Sequence, residues 1–204
     1  MRTIRRFLAF GFCVILAQAV ASVYGPGGFG TATDVARAQA QEADFESKKI
    51  VPFVPTPQEV VDKMLETAEV KKGDVVYDLG AGDGRIVITA ARKYGVRAVG
   101  FEIDPDLIKK SRENIRKEGL QQLAEIRQQD ILTVDVSGAT VVTMYLLPDV
   151  NLQLRPTLLS QLKPGSRIVS HAFDMGDWKP DKVVQVNGRT VYLWTLPAKG
   201  MPKQ

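Results

Sequence analysis

Residues 75–103 constrain the fold of this chain more than any other stretch. The short, largely apolar run Val75-Val76-Tyr77-Asp78-Leu79 fits a buried strand, and Gly80-Ala81-Gly82-Asp83-Gly84 follows it directly. Arg85 to Tyr94 then reads as a helix, and Ala98 to Ile103 as the next strand. A strand, a glycine loop and a helix in this order place backbone N–H groups and a helix N-terminus around a ligand, with the glycines letting it approach the main chain. A dinucleotide site needs G-x-G-x-x-G, whereas the spacing here is G-x-G-x-G with Arg85 in the sixth position. Gly80, Gly82 and Gly84 are therefore candidate ligand contacts, and NAD is not the expected ligand.

The same alternation extends along the chain. Thr56-Pro57-Gln58-Glu59 has the form of a capping box, with threonine as N-cap, proline at the first helical position and glutamate at N3, and predicts a helix to about Val70. Val60, Val61, Met64, Leu65 and Ala68 share its core-facing side. Asp104-Pro105 caps a further helix that ends near Gly119. Strands are expected around Leu123 to Gln128, Thr140 to Leu147 and Arg167 to His171. The helical region from Val150 to Leu162 contains Pro156, which should kink or split it. Lys182 to Val186, the turn Asn187-Gly188 and Thr190 to Leu196 make a β-hairpin signature. Strands alternating with helices imply an α/β fold with a parallel sheet and helices on both faces, to which the closing hairpin adds an antiparallel edge.

At 204 residues the chain has room for one ordinary domain. It has one cysteine, Cys13, and one histidine, His171, too few for a Cys/His zinc site, so no metal site is assigned. Four of the 27 basic and one of the 23 acidic side chains fall in residues 1–40, which leaves 23 against 22 in the rest. A body this close to neutral argues against dedicated nucleic-acid binding, which draws on phosphate neutralisation. The basic stretch MRTIRR followed by an apolar run from Phe7 to Val23 has the pattern of a signal peptide, with Ala17-Gln18-Ala19 and Ala38-Gln39-Ala40 as cleavage candidates. Uncleaved, the run is long enough for a membrane anchor. Residues 1–40 are thus assigned to a signal peptide or anchor plus spacer and 41–204 to the domain. Membrane association through residues 7–23 and export to the periplasm follow, with a cytoplasmic protein as the alternative if the segment is not used.

Three acids stand at successive strand ends. Asp78 lies two residues before the loop, where a carboxylate repels a pyrophosphate and welcomes an amino or sulfonium group. Glu102 closes the second strand, about 20 residues on, and can accept hydrogen bonds from both hydroxyls of a ribose. Asp130 follows the third strand, placed for the edge of an adenine or, equally, as a solvated loop acid.

Asp78-Leu79-Gly80-Ala81-Gly82-Asp83-Gly84-Arg85, with Glu102 and Asp130 downstream, resembles the cofactor site of class I S-adenosylmethionine-dependent methyltransferases. Val51-Pro52-Phe53-Val54-Pro55-Thr56-Pro57, GDGRIVITAA from Gly82, VVTMYLL from Val141 and LKPGSRIVSH from Leu162 narrow this to the archaeal protein lysine methyltransferases and, more distantly, to their mitochondrial relatives. The resemblance covers about residues 50–196. It implies a seven-stranded Rossmann-like sheet, S-adenosyl-L-methionine as cofactor, and a protein substrate with accessible lysines. A small or lipid-phase acceptor, or an exported cofactor-binding module without turnover, are the alternatives. Thr56 is expected both to cap its helix and to reach the cofactor's carboxylate. Tyr145 is a candidate for orienting the incoming amine or, equally, a strand-end aromatic filling the pocket rim, and His171, at the end of the fifth strand, is a candidate proton acceptor or pocket wall. Tyr77, Trp178 and Trp194 are expected in the core or at the rim.

Overall fold

The computed structural model describes residues 53–197, together with Thr33 and Ala36. The chain divides into two units, Met1–Ala43 and Asp44–Gln204. In the first only Thr33 and Ala36 are described, both exposed and helical. The signal or anchor assignment, Cys13 and the cleavage candidates lie outside the described residues.

In the second unit the described residues form four helices and a seven-stranded sheet. In chain order the elements are α1 (Gln58–Thr67), β1 (Val75–Leu79), α2 (Arg85–Tyr94), β2 (Arg97–Glu102), α3 (Pro105–Lys117), β3 (Ala124–Gln128), a single 3₁₀ turn (Ile131–Thr133), β4 (Val141–Met144), α4 (Pro148–Gln161), β5 (Arg167–His171), β6 (Lys182–Val186) and β7 (Arg189–Thr195). The sheet order is β3-β2-β1-β4-β5-β7-β6. β1 to β5 run parallel, and β7 pairs antiparallel with both β5 and β6. Chain order reverses between β1 and β4, which opens a crevice at the carboxyl ends of the strands.

The apolar residues that set this arrangement alternate across the sheet. One face packs Val76, Ala98, Val141 and Val169 against α1, α2 and α3, through Val61 and Leu65, Val87 and Ala91, and Ile108 and Ile115. The other packs Leu79, Phe101, Val142, Met144 and Ile168 against α4 through Val150, Leu154 and Leu158. Trp178 and Trp194 are buried on this second face, joined by a hydrogen bond of 2.8 Å from Trp194 Nε1 to the Trp178 carbonyl. All five residues expected on the core side of α1 are buried. Helix α2 comes so close to the sheet that a Cβ on Gly100 would lie 2.5 Å from Ala81 Cβ and 3.0 Å from Val87 Cγ2.

Three local expectations are corrected. Thr56 does not cap α1: the N-cap is Pro57, no side chain caps the helix, and the Thr56 hydroxyl turns instead to His171. Helix α4 runs unbroken past Pro156. That proline is on the exposed side of the helix, as is Leu152, whose carbonyl it leaves without an N–H partner, so water can satisfy it. β4 ends at Met144 rather than Leu147, which releases Tyr145 from the sheet. Asp104 caps α3 as expected, accepting from the N–H groups of Asp106 and Leu107.

Candidate functional site

A cleft of about 500 Å³ opens at the carboxyl ends of β1, β2 and β4. Asp78, the glycine loop, Glu102, Asp130 and Tyr145 line it, as do Thr56 and the preceding Phe53-Val54-Pro55. All the candidate site residues of the sequence except Gly84 and His171 thus meet in one cavity. Gly84 closes the loop as the N-cap of α2, at a left-handed φ of 82°. Among the described residues no group of three or more histidine, cysteine, aspartate or glutamate side chains could hold a metal ion.

Asp78 is 2% exposed. The parallel register sets it opposite Thr143, whose hydroxyl donates to Asp78 Oδ1 at 2.7 Å. Burial raises its pKa to about 7; the Thr143 bond opposes the shift, and the charges of Glu102 and Asp83 reinforce it. A buried acid so poised is stabilised as a carboxylate by any cation that enters beside it.

Glu102 anchors the loop as well as facing the cleft. Its Oε2 accepts from Gly82 N–H at 2.8 Å, and its Oε1 from the N–H groups of Ile103 and Asp104 at 2.8 and 3.0 Å. The N–H groups of Gly80 and Ala81 both donate to the Phe101 carbonyl. The loop is therefore tied to the end of β2 by hydrogen bonds of its own backbone. A Cβ on Gly82 would lie 2.4 Å from Phe53 Cε2, so only glycine lets the Phe53 ring cover the loop here, where φ is also positive at 55°.

One group of site residues went unrecognised in the sequence. Arg85, the residue that breaks the dinucleotide spacing, donates from Nε and from one terminal nitrogen to the two oxygens of Asp83, at 2.9 and 2.6 Å. Its other terminal nitrogen donates to the Thr56 carbonyl at 2.7 Å. Burial pushes the Asp83 carboxyl up, but the Arg85 hydrogen bonds and charge outweigh it and hold the group below the ordinary aspartate value. This fork clamps the Phe53–Thr56 strap against the glycine loop. The D-G-R order was visible, but the strap contact joins residues 29 positions apart and leaves no local pattern.

His171 is buried behind the cleft wall. Its Nδ1 and the Thr56 hydroxyl share a hydrogen bond of 3.2 Å, and its ring centroid is 4.0 Å from that of Tyr145. Burial, aided by the charge of Arg189, lowers its pKa to about 4, so the imidazole is neutral at physiological pH. Asp130 caps the 3₁₀ turn, with Oδ1 accepting from Leu132 N–H at 2.9 Å, while it lines the cleft.

The chain is similar in sequence and fold to known methyltransferases. The ANTKMT methyltransferase domain matches residues 78–182. A protein-lysine N-methyltransferase of Saccharolobus islandicus (strain REY15A) is 49% identical over 151 residues, covering 72% of this chain and 94% of that protein. The adenine nucleotide translocase lysine N-methyltransferase of Mus musculus is 31% identical over 151 residues, covering 74% of this chain and 65% of that protein. Among solved structures, an RNA methyltransferase from Salinibacter ruber in complex with S-adenosyl-L-homocysteine is 58% identical, with a TM-score of 0.71, covering 74% of this chain and 98% of that one. TrmN from Thermus thermophilus, 16% identical with a TM-score of 0.59 over 74% of this chain and 52% of that one, shares the fold.

Proposed function

The chain belongs to the ANTKMT methyltransferase domain family, and from that premise we propose that it methylates lysine side chains of proteins with S-adenosyl-L-methionine as donor. The observation that carries the acceptor assignment is the 49% identity to a protein-lysine N-methyltransferase over 94% of that protein, and the charge of the cleft supports the cationic donor. Asp78, Asp83, Glu102, Asp104 and Asp130 line it against Arg85, which is itself engaged by Asp83. Such a wall attracts a cationic donor.

The cofactor fits the residues present. On this reading Asp78 would receive its ammonium group, Glu102 its ribose hydroxyls and Asp130 the adenine edge, while the glycine loop keeps the main chain open to it. The Thr56 hydroxyl and the strap lie where they can close over the amino-acid end. When bound, the cofactor supplies a methyl group activated by a sulfonium, so this chain needs no acid for the leaving group. A lysine in water, with a pKa near 10.4, is almost wholly protonated at neutral pH. Leu146, beside Tyr145 in the cleft wall, adds an apolar surface that favours the neutral amine, and Tyr145 would orient it.

Full-length protein incubated with methyl-labelled cofactor, an acceptor protein extract and an RNA extract tests the assignment. Acid-stable label in protein, recovered as methyllysine, is expected. Label in RNA, or in an organic extract, overturns it.

The N-terminal sequence supports a proposal on location as well. With its positive charge held on the cytoplasmic side, the apolar run would carry the domain across the membrane. Because the methyl donor is made in the cytosol, export would require imported or scavenged cofactor. Residues 1–60 fused to a reporter active only in the periplasm should give a signal, and a silent reporter overturns export.

A further inference from the structure

The chain leaves β5 through an unusual turn. Phe173 N–H donates to the His171 carbonyl at 2.9 Å, closing three residues around Ala172 at a φ of 66°. An i to i+2 bond about a central residue with positive φ is the rare, strained form of the γ-turn, and alanine gains nothing there from the freedom that glycine has. Strain of this kind persists only where surrounding contacts over-determine it. Here they converge on one side chain. On one side of the turn the His171 ring lies 4.0 Å from that of Tyr145, and on the other the Phe173 ring stacks on Tyr145 at 6.3 Å and 16°. Asn151, fully buried in the first turns of α4, donates from Nδ2 to the carbonyls of Phe173 and Asp174 at 3.3 and 3.0 Å. That ties the turn to the helix that follows Tyr145. Through its Nδ1, His171 also holds the Thr56 hydroxyl on another part of the cleft wall.

We propose that the His171-Ala172-Phe173 turn is a positioning device for Tyr145, and that His171 serves transfer by fixing the Tyr145 ring and the Thr56 hydroxyl rather than by accepting the substrate proton. This rests on reading the cleft as the site of methyl transfer. A proton acceptor needs a path to the reacting amine, whereas His171 is 2% exposed and does not line the cleft, which Thr56 and Tyr145, each in contact with it, do. These two contacts are also chemically separable. Phenylalanine preserves the ring against Tyr145 and loses the bond to Thr56, while asparagine presents a polar atom near the Nδ1 position and loses the ring.

The test uses the full chain as wild type, His171→Phe, His171→Asn and Ala172→Gly. Each is assayed for transfer to a protein that the wild type methylates, for S-adenosylhomocysteine Kd by calorimetry and for thermal midpoint. His171→Phe should keep kcat within about threefold while the Kd rises, and His171→Asn should keep the Kd within about threefold while kcat falls about tenfold or more. Ala172→Gly, which relieves the turn, should melt no lower than wild type yet lose about threefold or more in kcat at unchanged KM. A His171→Phe variant that folds and binds but does not turn over makes His171 the proton acceptor and overturns the proposal. Wild-type kcat in Ala172→Gly overturns it as well, and decides the matter alone if the His171 variants do not fold. Wild-type protein that binds S-adenosylhomocysteine but methylates no lysine overturns instead the reading on which the proposal rests.

Discussion

Gly82 and Glu102, 20 positions apart, are joined by a hydrogen bond of 2.8 Å from the loop N–H to the carboxylate, so the acid at the end of β2 holds the loop it shares the cleft with. Its other oxygen takes two more backbone N–H groups at the start of α3. Folding and ligand recognition are therefore coupled at this side chain. The bonds that shape the loop leave the carboxylate in the cleft wall and fix its orientation.

Replacing Glu102 by glutamine separates the two roles. The amide keeps the size and one acceptor oxygen but presents an NH₂ where a backbone N–H now donates. One loop contact should be lost, at about 1–3 kcal/mol of stability. Because the charge that strengthens bonds to ribose hydroxyls is also gone, cofactor affinity should fall about tenfold or more. Thermal melts without ligand and calorimetry with S-adenosylhomocysteine read the two losses. Full affinity in a folded variant would remove Glu102 from the cofactor site.

Asp78 makes cofactor binding depend on pH. With its pKa raised from 3.8 to about 7, chiefly by burial, Asp78 is largely neutral in the free protein below pH 7. Its share of folding stability is therefore fully present below the unfolded pKa near 4 and is lost as pH rises through about 7. A cationic ligand reverses the preference, because it binds the carboxylate and expels the proton. Affinity for S-adenosylmethionine should consequently weaken as pH falls from 7 to 5.5, and the ligand-induced rise in Tm should be smaller at pH 5.5 than at pH 7. Asp78→Asn should melt higher than wild type near pH 7.5 without ligand, bind far more weakly and lose this pH dependence. Equal ligand-induced shifts at the two pH values in wild type would count against an ammonium partner for Asp78.

The residues that the sequence revealed and those it hid differ in a physical way. That Asp78, Gly80, Gly82, Glu102 and Asp130 meet at one cleft was legible because each sits at a strand end or in the loop between strand and helix, where periodicity locates the chain. The core side of α1 was legible from Val60, Val61, Met64, Leu65 and Ala68 for the same reason. Thr56 was misread because Thr-x-x-Glu matches a local capping pattern, while the hydroxyl's actual partner, His171, is 115 positions away. The Arg85 fork and the strained turn at Ala172 also depend on contacts between distant segments. Nothing in the spacing of arginine, alanine or phenylalanine announces them.

Arg85 should matter more than its partly exposed position suggests. Lysine keeps the charge but loses the planar fork that spans both Asp83 oxygens and reaches the Thr56 carbonyl. Arg85→Lys should release the strap, raise the KM for cofactor about three- to tenfold and leave kcat within about threefold, the pattern of lost uniform binding. Steady-state kinetics with varied S-adenosylmethionine checks this. A fall in kcat at unchanged KM would place Arg85 in the transfer step instead.

At the opposite edge of the sheet a second ion pair provides the contrast. Asp74, just before β1, pairs with Arg167 at the start of β5, and both side chains are largely buried. Arg167 also donates to the carbonyls of Ala68 and Glu69 at 2.8 and 3.1 Å, and the Thr140 hydroxyl donates to Asp74 at 2.7 Å. The cluster stitches the end of α1 to three strands, a strand length of roughly 15 Å from the cleft. Although burial pushes Asp74 up, the Lys71 N–H, Thr140 and Arg167 outweigh it and hold its pKa below the ordinary value. Its contribution to stability is thus present above the unfolded pKa of 3.8 and is lost as pH falls through the lower folded value. Arg167→Ala strands a buried carboxylate and should cost about 3 kcal/mol in denaturant titrations at pH 7. Its Kd for S-adenosylhomocysteine should match wild type at temperatures where both are folded, since no residue of the cleft is touched. A comparable loss of affinity in the folded variant would show that the two ends of the sheet are coupled.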